Sequence, residues 1–264
     1  MDLGINGQTA IVTGGARGIG LACAQLLAQE GCKVAIVDID GAQAETSAQV
    51  LNEQALPPAR VLAIPTDITS AEQVKAMLGQ VEQGLGAPQI LIHCAAILDN
   101  KTFIESQPAD WRRLLEVCLY GPMLCMHAVL PGMVERGYGR IVCIGSDAGR
   151  MGQARQSYYA AAKGGVVAQI KSIAQEVGRH GVTLNAVSPG ATNTELRQRR
   201  EAELAEQMGP ERYADYCRKV LRRYPLGRLG EPDDIASMIV FLASARAAWT
   251  TGQVISVNGG FAMP

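Results

Sequence analysis

Short apolar runs alternate along the chain with longer stretches whose apolar residues recur at helical spacing. The first run, Thr9–Thr13, is β-branched and uninterrupted by polar residues, which is typical of a strand buried on both faces. Several glycines follow this run, and from Ile19 to Gln29 apolar side chains recur on one helical face. This spacing predicts a helix, which Gly31 ends. The same patterns predict strands at 9–13, 33–38, 61–64, 89–93, 140–144, 183–188 and 254–257. They predict helices at 19–29, 42–52, 71–84, 109–137, 158–180 and 232–244.

This alternation predicts the fold class. Strands that alternate with helices indicate an α/β protein with one doubly wound parallel sheet of about seven strands, of the Rossmann type, with helices on both faces. No low-complexity linker interrupts the pattern, so we expect residues 1–264 to form a single domain. The one departure is the charged stretch 195–224, which fits either a solvated helical pair or a lid over an active site.

Composition narrows the class of protein. The 264 residues are 48% hydrophobic and 19% charged, which excludes a disordered chain, and a net charge of −1 gives no footprint for nucleic acid. The N-terminus lacks the features of a signal peptide, and we expect no membrane span. The seven cysteines are odd in number and form no C-x-x-C pair, so free thiols and a cytoplasmic location are expected. His93, His127 and His180 are scattered, and we expect no metal site.

A glycine-rich turn joins the first strand to the first helix. Glycines in such a turn allow the backbone to bend tightly and to approach a pyrophosphate, and the helix N-terminus offers free N–H groups. The strand–turn–helix context favours a phosphate cradle over a tight turn without a ligand. The predicted cradle residues are Gly14, Arg17, Gly18, Ile19 and Gly20.

Acidic residues end the second and third strands. Asp38 is placed to accept hydrogen bonds from both hydroxyls of an adenosine ribose and to repel a 2′-phosphate, which favours NAD over NADP. Arg17 argues more weakly for NADP, because a cation beside the glycines is suited to hold that phosphate. Asp67, followed by Ile68, is either an adenine neighbour or an N-cap or turn residue before the next helix.

Tyr159 and Lys163 are four residues apart on a predicted helix and therefore share one face. An unperturbed tyrosine has a pKa of about 10, and a nearby ammonium favours its phenolate. Ser146, which follows a predicted strand, is placed to bond the substrate oxygen beside the tyrosine. Tyr158 is a competing tyrosine, but it lies off the face that Lys163 occupies.

These motifs resemble the short-chain dehydrogenase/reductase family, in its branch of about 250 residues, from Gly7 to Gly260. Residues 13–20 match the family's T-G-x-x-x-G-x-G, and residues 189–194 match its P-G-x-x-x-T. Residues 225–228 and 258–260 resemble its C-terminal signatures, and Asn185 matches the Asn before the P-G motif. The resemblance implies Ser146, Tyr159 and Lys163 as catalytic residues. It also implies a cofactor site that includes Ala95, Ala96, Tyr159, Lys163, Pro189, Gly190, Thr192 and Thr194. In the family, the last Thr holds the nicotinamide carboxamide. The resemblance further implies a homo-tetramer or dimer built partly through helices 109–137 and 158–180.

The chain departs from the family pattern at two places. Residues 93–96 read His-Cys-Ala-Ala where most members have N-N-A-G, and His93 is read as a buried sheet histidine in preference to a catalytic base or metal ligand. Cys118 stands where many members have an Asn that holds a water of the proton relay. Either another group holds that water, or the relay is slower, or the protein is not catalytic. Cys94 and Cys143 also stand at positions where the family often has Asn.

The substrate is less specified. Arg150 and Arg155 lie between Ser146 and Tyr159, and they suggest an anionic substrate unless they pair with surface carboxylates. Residues 127–149 and 225–235 faintly resemble the alicyclic 2-hydroxyacyl-CoA dehydrogenases of the family. We therefore expect an NAD-dependent oxidoreductase that interconverts a secondary alcohol and a ketone. Its substrate is expected to be a carboxylate, a sulfonate, a coenzyme A-linked compound, a polyol or a sugar. The alternative is a non-catalytic NAD-binding sensor or scaffold.

Overall fold

The computed structural model describes residues 2–55 and 57–263, and in this part of the chain seven strands form one sheet. The strands are β1 (Thr9–Thr13), β2 (Lys33–Asp38), β3 (Arg60–Pro65), β4 (Ile90–His93), β5 (Gly139–Ile144), β6 (Val182–Pro189) and β7 (Val254–Val257). Their order is β3-β2-β1-β4-β5-β6-β7, and every neighbouring pair is parallel. The order reverses between β1 and β4, and ligands of such sheets bind outside the carboxyl ends of the strands at this reversal.

Helices cover both faces of the sheet. They are α1 (Gly18–Gln29), α2 (Gly41–Gln54), α3 (Ala71–Gly84), α4 (Pro108–Leu115), α5 (Gly121–Glu135), α6 (Ala148–Met151), α7 (Ser157–Val177), α8 (Glu195–Met208), α9 (Pro210–Leu221) and α10 (Pro232–Leu242). The predicted α/β class, with a seven-stranded parallel sheet flanked by helices, is confirmed.

The core consists of two apolar layers, one on each side of the sheet. On one side, Leu27 of α1 and Ile239 of α10 pack with the side chains of that sheet face. On the other side, Met77 of α3, Met126 of α5 and Ile170 of α7 pack with the opposite face. All residues of β1, β4 and β5 are buried, which explains why these strands read as continuous apolar runs.

The predicted helix 109–137 is divided by a π-helical turn, Glu116–Tyr120, which joins α4 to α5. Cys118 is the buried residue of this turn, and its side chain bonds to the preceding loop, as described below. Pro131 is accommodated within α5. The short helix α6 was not expected, and the predicted helix 158–180 ends as α7 at Val177, followed by a 3₁₀ turn.

One helical stretch of the described residues is long and apolar enough to cross a membrane by length and composition alone. The helical stretch Pro108–Glu135 contains an 18-residue window with a mean hydropathy of 1.6. In the fold, however, Cys125, Met126, Val129 and Met133 of this stretch are buried against the sheet. Its apolar character is therefore explained by its place in the core.

The charged stretch 195–224 forms a helical pair, α8 and α9, joined at Gly209. Neither helix contains a buried residue. This agrees with the interpretation as a solvated pair, and the pair follows directly on the carboxyl end of β6, where a lid over the site would begin.

Candidate active site

The glycine-rich turn between β1 and α1 leaves no room for a side chain at Gly14 or Gly20. Gly14 has φ +64°, and a Cβ at this position would lie 2.6 Å from the Ala95 backbone nitrogen. Gly18 has φ +57°, and a Cβ on Gly20 would lie 2.0 Å from the Gly14 carbonyl oxygen. Arg17, the N-cap of α1, makes no side-chain capping hydrogen bond. The bare backbone and the uncapped helix N-terminus fit the pyrophosphate of a dinucleotide.

Asp38, at the end of β2, is held beside this cradle. Its Oδ2 accepts a hydrogen bond from the Ala16 N–H at 3.2 Å, and its Oδ1 accepts one from the Asp40 N–H at 3.1 Å. The neighbouring Arg17 guanidinium forms an ion pair with Asp40, and its Nη1 lies 3.9 Å from Glu195 Oε2. Arg17, whose charge is the feature that favours NADP, is therefore paired with the carboxylates of Asp40 and Glu195.

Asp67 is a turn residue, one of the two alternatives that the sequence left open. Its Oδ1 accepts hydrogen bonds from the Thr69 N–H at 2.9 Å and the Thr69 hydroxyl at 2.7 Å. The N-cap of α3 is Ser70, which accepts from the Gln73 N–H. Ile68 is buried. A contact of Asp67 or Ile68 with the adenine stays a prediction.

Ser146 follows the carboxyl end of β5 and lies close to the face of α7 that carries Lys163. A Cβ on Gly149, three residues after Ser146, would lie 2.7 Å from the Lys163 carbonyl carbon. The Lys163 ammonium is buried and donates a hydrogen bond to the Ile144 carbonyl oxygen at 2.8 Å. It lies 5.8 Å from the centroid of the Tyr159 ring. Lys163 therefore lies close to Tyr159 and to the end of β5, the strand that Ser146 follows.

Tyr158 lies in a different environment from its neighbour. Its hydroxyl donates a hydrogen bond to Asp99 Oδ2 at 2.6 Å, and its side chain is buried. Burial and the Asp99 carboxylate both raise the pKa of the Tyr158 phenol, so it stays protonated at neutral pH. Tyr158 is thus unsuited to act as a base.

A buried carboxylate next to Ser146 was missed by the sequence analysis. Asp147 accepts hydrogen bonds from the Ser188 hydroxyl and from Asn258 Nδ2, both at 2.7 Å. These bonds tie the residue after Ser146 to the ends of β6 and β7. Asn258 belongs to a C-terminal signature, but nothing in the sequence pairs it with Asp147.

Cys118 stands where many family members have an Asn, and its thiol makes two contacts with the backbone. Its Sγ accepts from the Ile97 N–H at 3.4 Å and donates to the Ile97 carbonyl oxygen at 3.3 Å. Cys118 is fully buried. The thiol therefore links the π-helical turn to the loop after β4, which passes beside the cradle.

His93, at the end of β4, is buried between β1 and β5. Its Nδ1 is 2.8 Å from the Thr13 hydroxyl oxygen, and its Nε2 has no hydrogen-bond partner among the described residues. Burial, together with the charge of Lys163, lowers the pKa of His93 to about 3. The ring is therefore neutral at neutral pH. Within residues 2–55 and 57–263, no group of three or more His, Cys, Asp or Glu side chains is placed to hold a metal ion.

The segment after β6 runs next to the cradle. The Gly190 N–H donates to the Val257 carbonyl oxygen, and a Cβ on Gly190 would lie 2.8 Å from Asn258 Cα. Thr192 is buried and bonds to the Gly190 carbonyl oxygen. Thr194 caps α8, and its Cγ2 lies 3.4 Å from the position of a Cβ on Gly18. Pro189, Gly190, Thr192 and Thr194 are thus on the cradle side of the sheet, as Ala95 is, and Ala96 follows Ala95 in the same loop.

The two arginines proposed to meet the substrate are placed differently. Arg150 Nη1 donates to the Ser256 hydroxyl at 2.7 Å and lines a cavity of about 450 Å³ along β7. Arg155 has φ +66° and donates to the Asn100 carbonyl oxygen at 3.0 Å. Arg155 Nη2 also lies 3.6 Å from Glu105 Oε2, so this arginine has the surface carboxylate that the alternative interpretation foresaw. A substrate contact of either arginine stays a prediction.

Two features define the class of protein as a nucleotide-dependent oxidoreductase. One is a glycine cradle at the point where the strand order of the parallel sheet reverses, and the other is a Tyr–Lys pair near the Ser that follows β5. A family model described as "Enoyl-(Acyl carrier protein) reductase" matches residues 14–262. The chain belongs to the short-chain dehydrogenase/reductase family, whose members use a nicotinamide cofactor and act on alcohols and ketones.

Individual relatives match nearly end to end. The 3-oxoacyl-[acyl-carrier-protein] reductase FabG of Vibrio cholerae is 37% identical over 261 residues, covering 99% of this chain and 100% of that protein. The galactitol 2-dehydrogenase of Agrobacterium fabrum is 36% identical over 257 residues, covering 97% and 98%. The crystal structure of levodione reductase superposes with a TM-score of 0.89 at 30% identity and covers 97% of each chain.

Proposed function

We propose that the protein is an NAD-dependent oxidoreductase that interconverts a secondary alcohol and a ketone. The observation that carries this proposal is the position of Lys163, whose buried ammonium lies under the Tyr159 ring at the carboxyl end of β5. Ser146 and the glycine cradle border the same edge of the sheet.

In the proposed mechanism, Tyr159 removes the hydroxyl proton of the alcohol as general base. Lys163 contributes a positive charge that lies 5.8 Å from the centroid of the Tyr159 ring. Ser146 donates a hydrogen bond to the substrate oxygen and orients the carbon that reacts. When bound, the nicotinamide supplies the hydride acceptor for oxidation, or the donor for reduction. Lys163 and Tyr159 would also bind the nicotinamide ribose.

The remaining cofactor contacts follow from the position of the cradle. The backbone of Gly14, Gly18, Ile19 and Gly20 would hold the pyrophosphate, and Asp38 would accept from the ribose hydroxyls. The selection of NAD over NADP is supported by the Asp38 carboxylate and by the two carboxylates that engage Arg17. Asp67, Ile68, Ala95 and Ala96 would border the adenosine. Pro189, Gly190, Thr192 and Thr194 would border the nicotinamide.

We propose that α8 and α9 form a lid over the substrate. The pair begins at Thr194, beside the cradle, and contains no buried residue, as expected for a segment that closes on a ligand. Arg155 ties the loop before α7 to the loop after β4, and Arg150 lies in the same segment. An anionic substrate would meet these arginines, and a polyol such as the substrate named for the Agrobacterium relative is the other candidate.

We propose that the protein is a homo-tetramer or dimer located in the cytoplasm. Tyr120, between α4 and α5, and Met123 of α5 are exposed apolar side chains on a helix whose other face is in the core. A second copy of the chain would cover them. All seven cysteines are free thiols, which suits a reducing compartment.

The direct test is turnover of a panel of secondary alcohols that includes 2-hydroxy acids, polyols and neutral alcohols, each with NAD and with NADP. We expect saturable formation of reduced cofactor with at least one alcohol, and a higher kcat/KM with NAD. Faster turnover of acidic alcohols that is lost in Arg155→Ala would support the anionic substrate. Saturable NAD binding without turnover of any alcohol would favour the non-catalytic alternative.

A further inference from the structure

Asp40 lies two residues after Asp38 and forms an ion pair with Arg17 of the cradle. We infer that Asp40 determines cofactor specificity: by holding the Arg17 guanidinium, it denies this cation to a 2′-phosphate and disfavours NADP. This inference rests on the NAD preference in the proposed function, and it assigns part of that preference to a residue other than Asp38.

The Asp40 side chain is fixed by the start of α2. Its Oδ1 accepts a hydrogen bond from the Gln43 N–H at 3.2 Å, so Asp40 is the N-cap of this helix. Its Oδ2 is the atom that pairs with Arg17 Nη2. Because one oxygen is held by the helix backbone, the other stays directed at the guanidinium. A capping carboxylate is also stabilised by the positive end of the helix.

The second side of Arg17 faces the start of α8. Arg17 Nη1 lies 3.9 Å from Glu195 Oε2, and Glu195 is the first residue of that helix. The guanidinium thus lies between one carboxylate from α2 and one from α8. Since the two contacts use different nitrogens, rotation of Arg17 toward a new anion would break at least one of them.

The ion pair lies beside the residue that would bind the ribose. Asp38 accepts hydrogen bonds from the backbone N–H groups of Ala16 and Asp40. Ala16 precedes Arg17 in the chain, and Asp40 is the residue that pairs with Arg17. A 2′-phosphate on a ribose held by Asp38 would therefore meet three carboxylates and a guanidinium that is already paired. Arginine frequently binds phosphate through two parallel hydrogen bonds, and the two carboxylates compete with a phosphate for the N–H groups of the Arg17 terminal nitrogens.

The test is calorimetric titration with NAD and NADP of the wild type and of two variants, Asp40→Asn and Asp40→Ser. Both variants remove the charge and keep an oxygen that caps α2. We expect the Kd for NADP to fall by about three- to tenfold in both, which tightens NADP binding, with no matching gain for NAD. The effect should be larger for serine, whose hydroxyl is too short to keep its hold on Arg17.

Two further variants separate this mechanism from simple repulsion. Asp40→Asn combined with Arg17→Ala should lose the gain in NADP affinity, because the gain requires a freed guanidinium. Glu45→Gln removes a negative charge from the exposed side of the same helix without touching Arg17, and it should leave the ratio of the two Kd values unchanged.

The outcomes distinguish this inference from the proposed function on which it rests. A wild type that binds NADP more tightly than NAD would overturn both. A wild type that prefers NAD, with an unchanged ratio in both Asp40 variants, would overturn the role of Asp40 and leave the NAD preference standing. A gain that persists without Arg17 would also overturn it, since Asp40 would then act by direct repulsion of the phosphate. Because binding is measured, absence of turnover would not affect the result.

Discussion

At the scale of single residues, adjacent side chains of the same type have different chemistry because their partners differ. The Tyr158 hydroxyl is bonded to a carboxylate, whereas the Tyr159 ring lies near an ammonium. The sequence analysis separated the two tyrosines through their spacing from Lys163. It did not foresee Asp99 as the partner of Tyr158, since that contact joins positions 59 residues apart.

His93 supplies a prediction at this scale. The pKa of His93 is about 3 in the folded protein, below its ordinary value of 6.5. Between these two pH values the imidazole is protonated in the unfolded chain but not in the folded chain. The free energy of unfolding should therefore decrease as pH falls from about 6.5 toward 3, with a contribution of up to about 1.4 kcal/mol per pH unit.

Urea unfolding at several pH values between 7 and 4 measures this slope in the wild type and in His93→Asn. The variant lacks an imidazole and should show a shallower dependence on pH, whatever its absolute stability. Equal slopes in the two proteins would show that His93 does not titrate in this way.

At the scale of elements, most strands and helices follow from periodicity, while their junctions depend on contacts made in space. The buried strands were predicted because both of their faces are covered, so apolar residues fill most of their positions. The π-helical turn was not predicted, because its buried residue is specified by the Cys118–Ile97 contact across two elements. The short helix α6 was not predicted either, because its position is set by close packing of Gly149 against Lys163 of α7.

The cradle gives a prediction at the scale of elements. Gly14→Ala should lower stability by about 2 kcal/mol or more and weaken nucleotide binding at least about tenfold, because the new Cβ meets the Ala95 backbone and the residue has φ +64°. Gly79→Ala is the matched control. Gly79 lies within α3, and a Cβ there meets nothing within 4 Å, so stability should increase by about 0.5–1 kcal/mol.

Thermal unfolding of both variants, with and without NAD, measures their stability and the stabilisation that NAD binding adds. A Gly14→Ala protein that NAD stabilises as much as it does the wild type would contradict the role assigned to the cradle.

At the scale of the whole molecule, the long stretch of α4 and α5 has two apolar faces with different partners. One face is covered by the sheet and explains why the stretch passes a test for membrane spans by length and composition. The other exposes Tyr120 and Met123, and we attribute it to contact between copies of the chain. Neither partner can be deduced from the apolar pattern itself, since the same spacing suits a core, an interface or a lipid.

Introducing a charge at this face tests the assignment. Met123→Glu should shift the protein to a smaller assembly in light scattering after size-exclusion chromatography, because an unpaired carboxylate is costly in a closed interface. Val50→Glu, at an exposed position of α2, should leave the mass unchanged. An unchanged mass in Met123→Glu would indicate that the subunits meet elsewhere or not at all.

The central claim is that Tyr159 is the base that acts on the alcohol, and the measurement that tests it most directly is kcat for Tyr159→Phe beside that for Tyr158→Phe. Each variant removes one hydroxyl from adjacent residues of α7. We predict that Tyr159→Phe loses at least about 10²-fold in kcat and still binds NAD, while Tyr158→Phe keeps kcat within about tenfold of the wild type. Comparable turnover in the wild type and Tyr159→Phe, or a larger loss in Tyr158→Phe, would contradict the account.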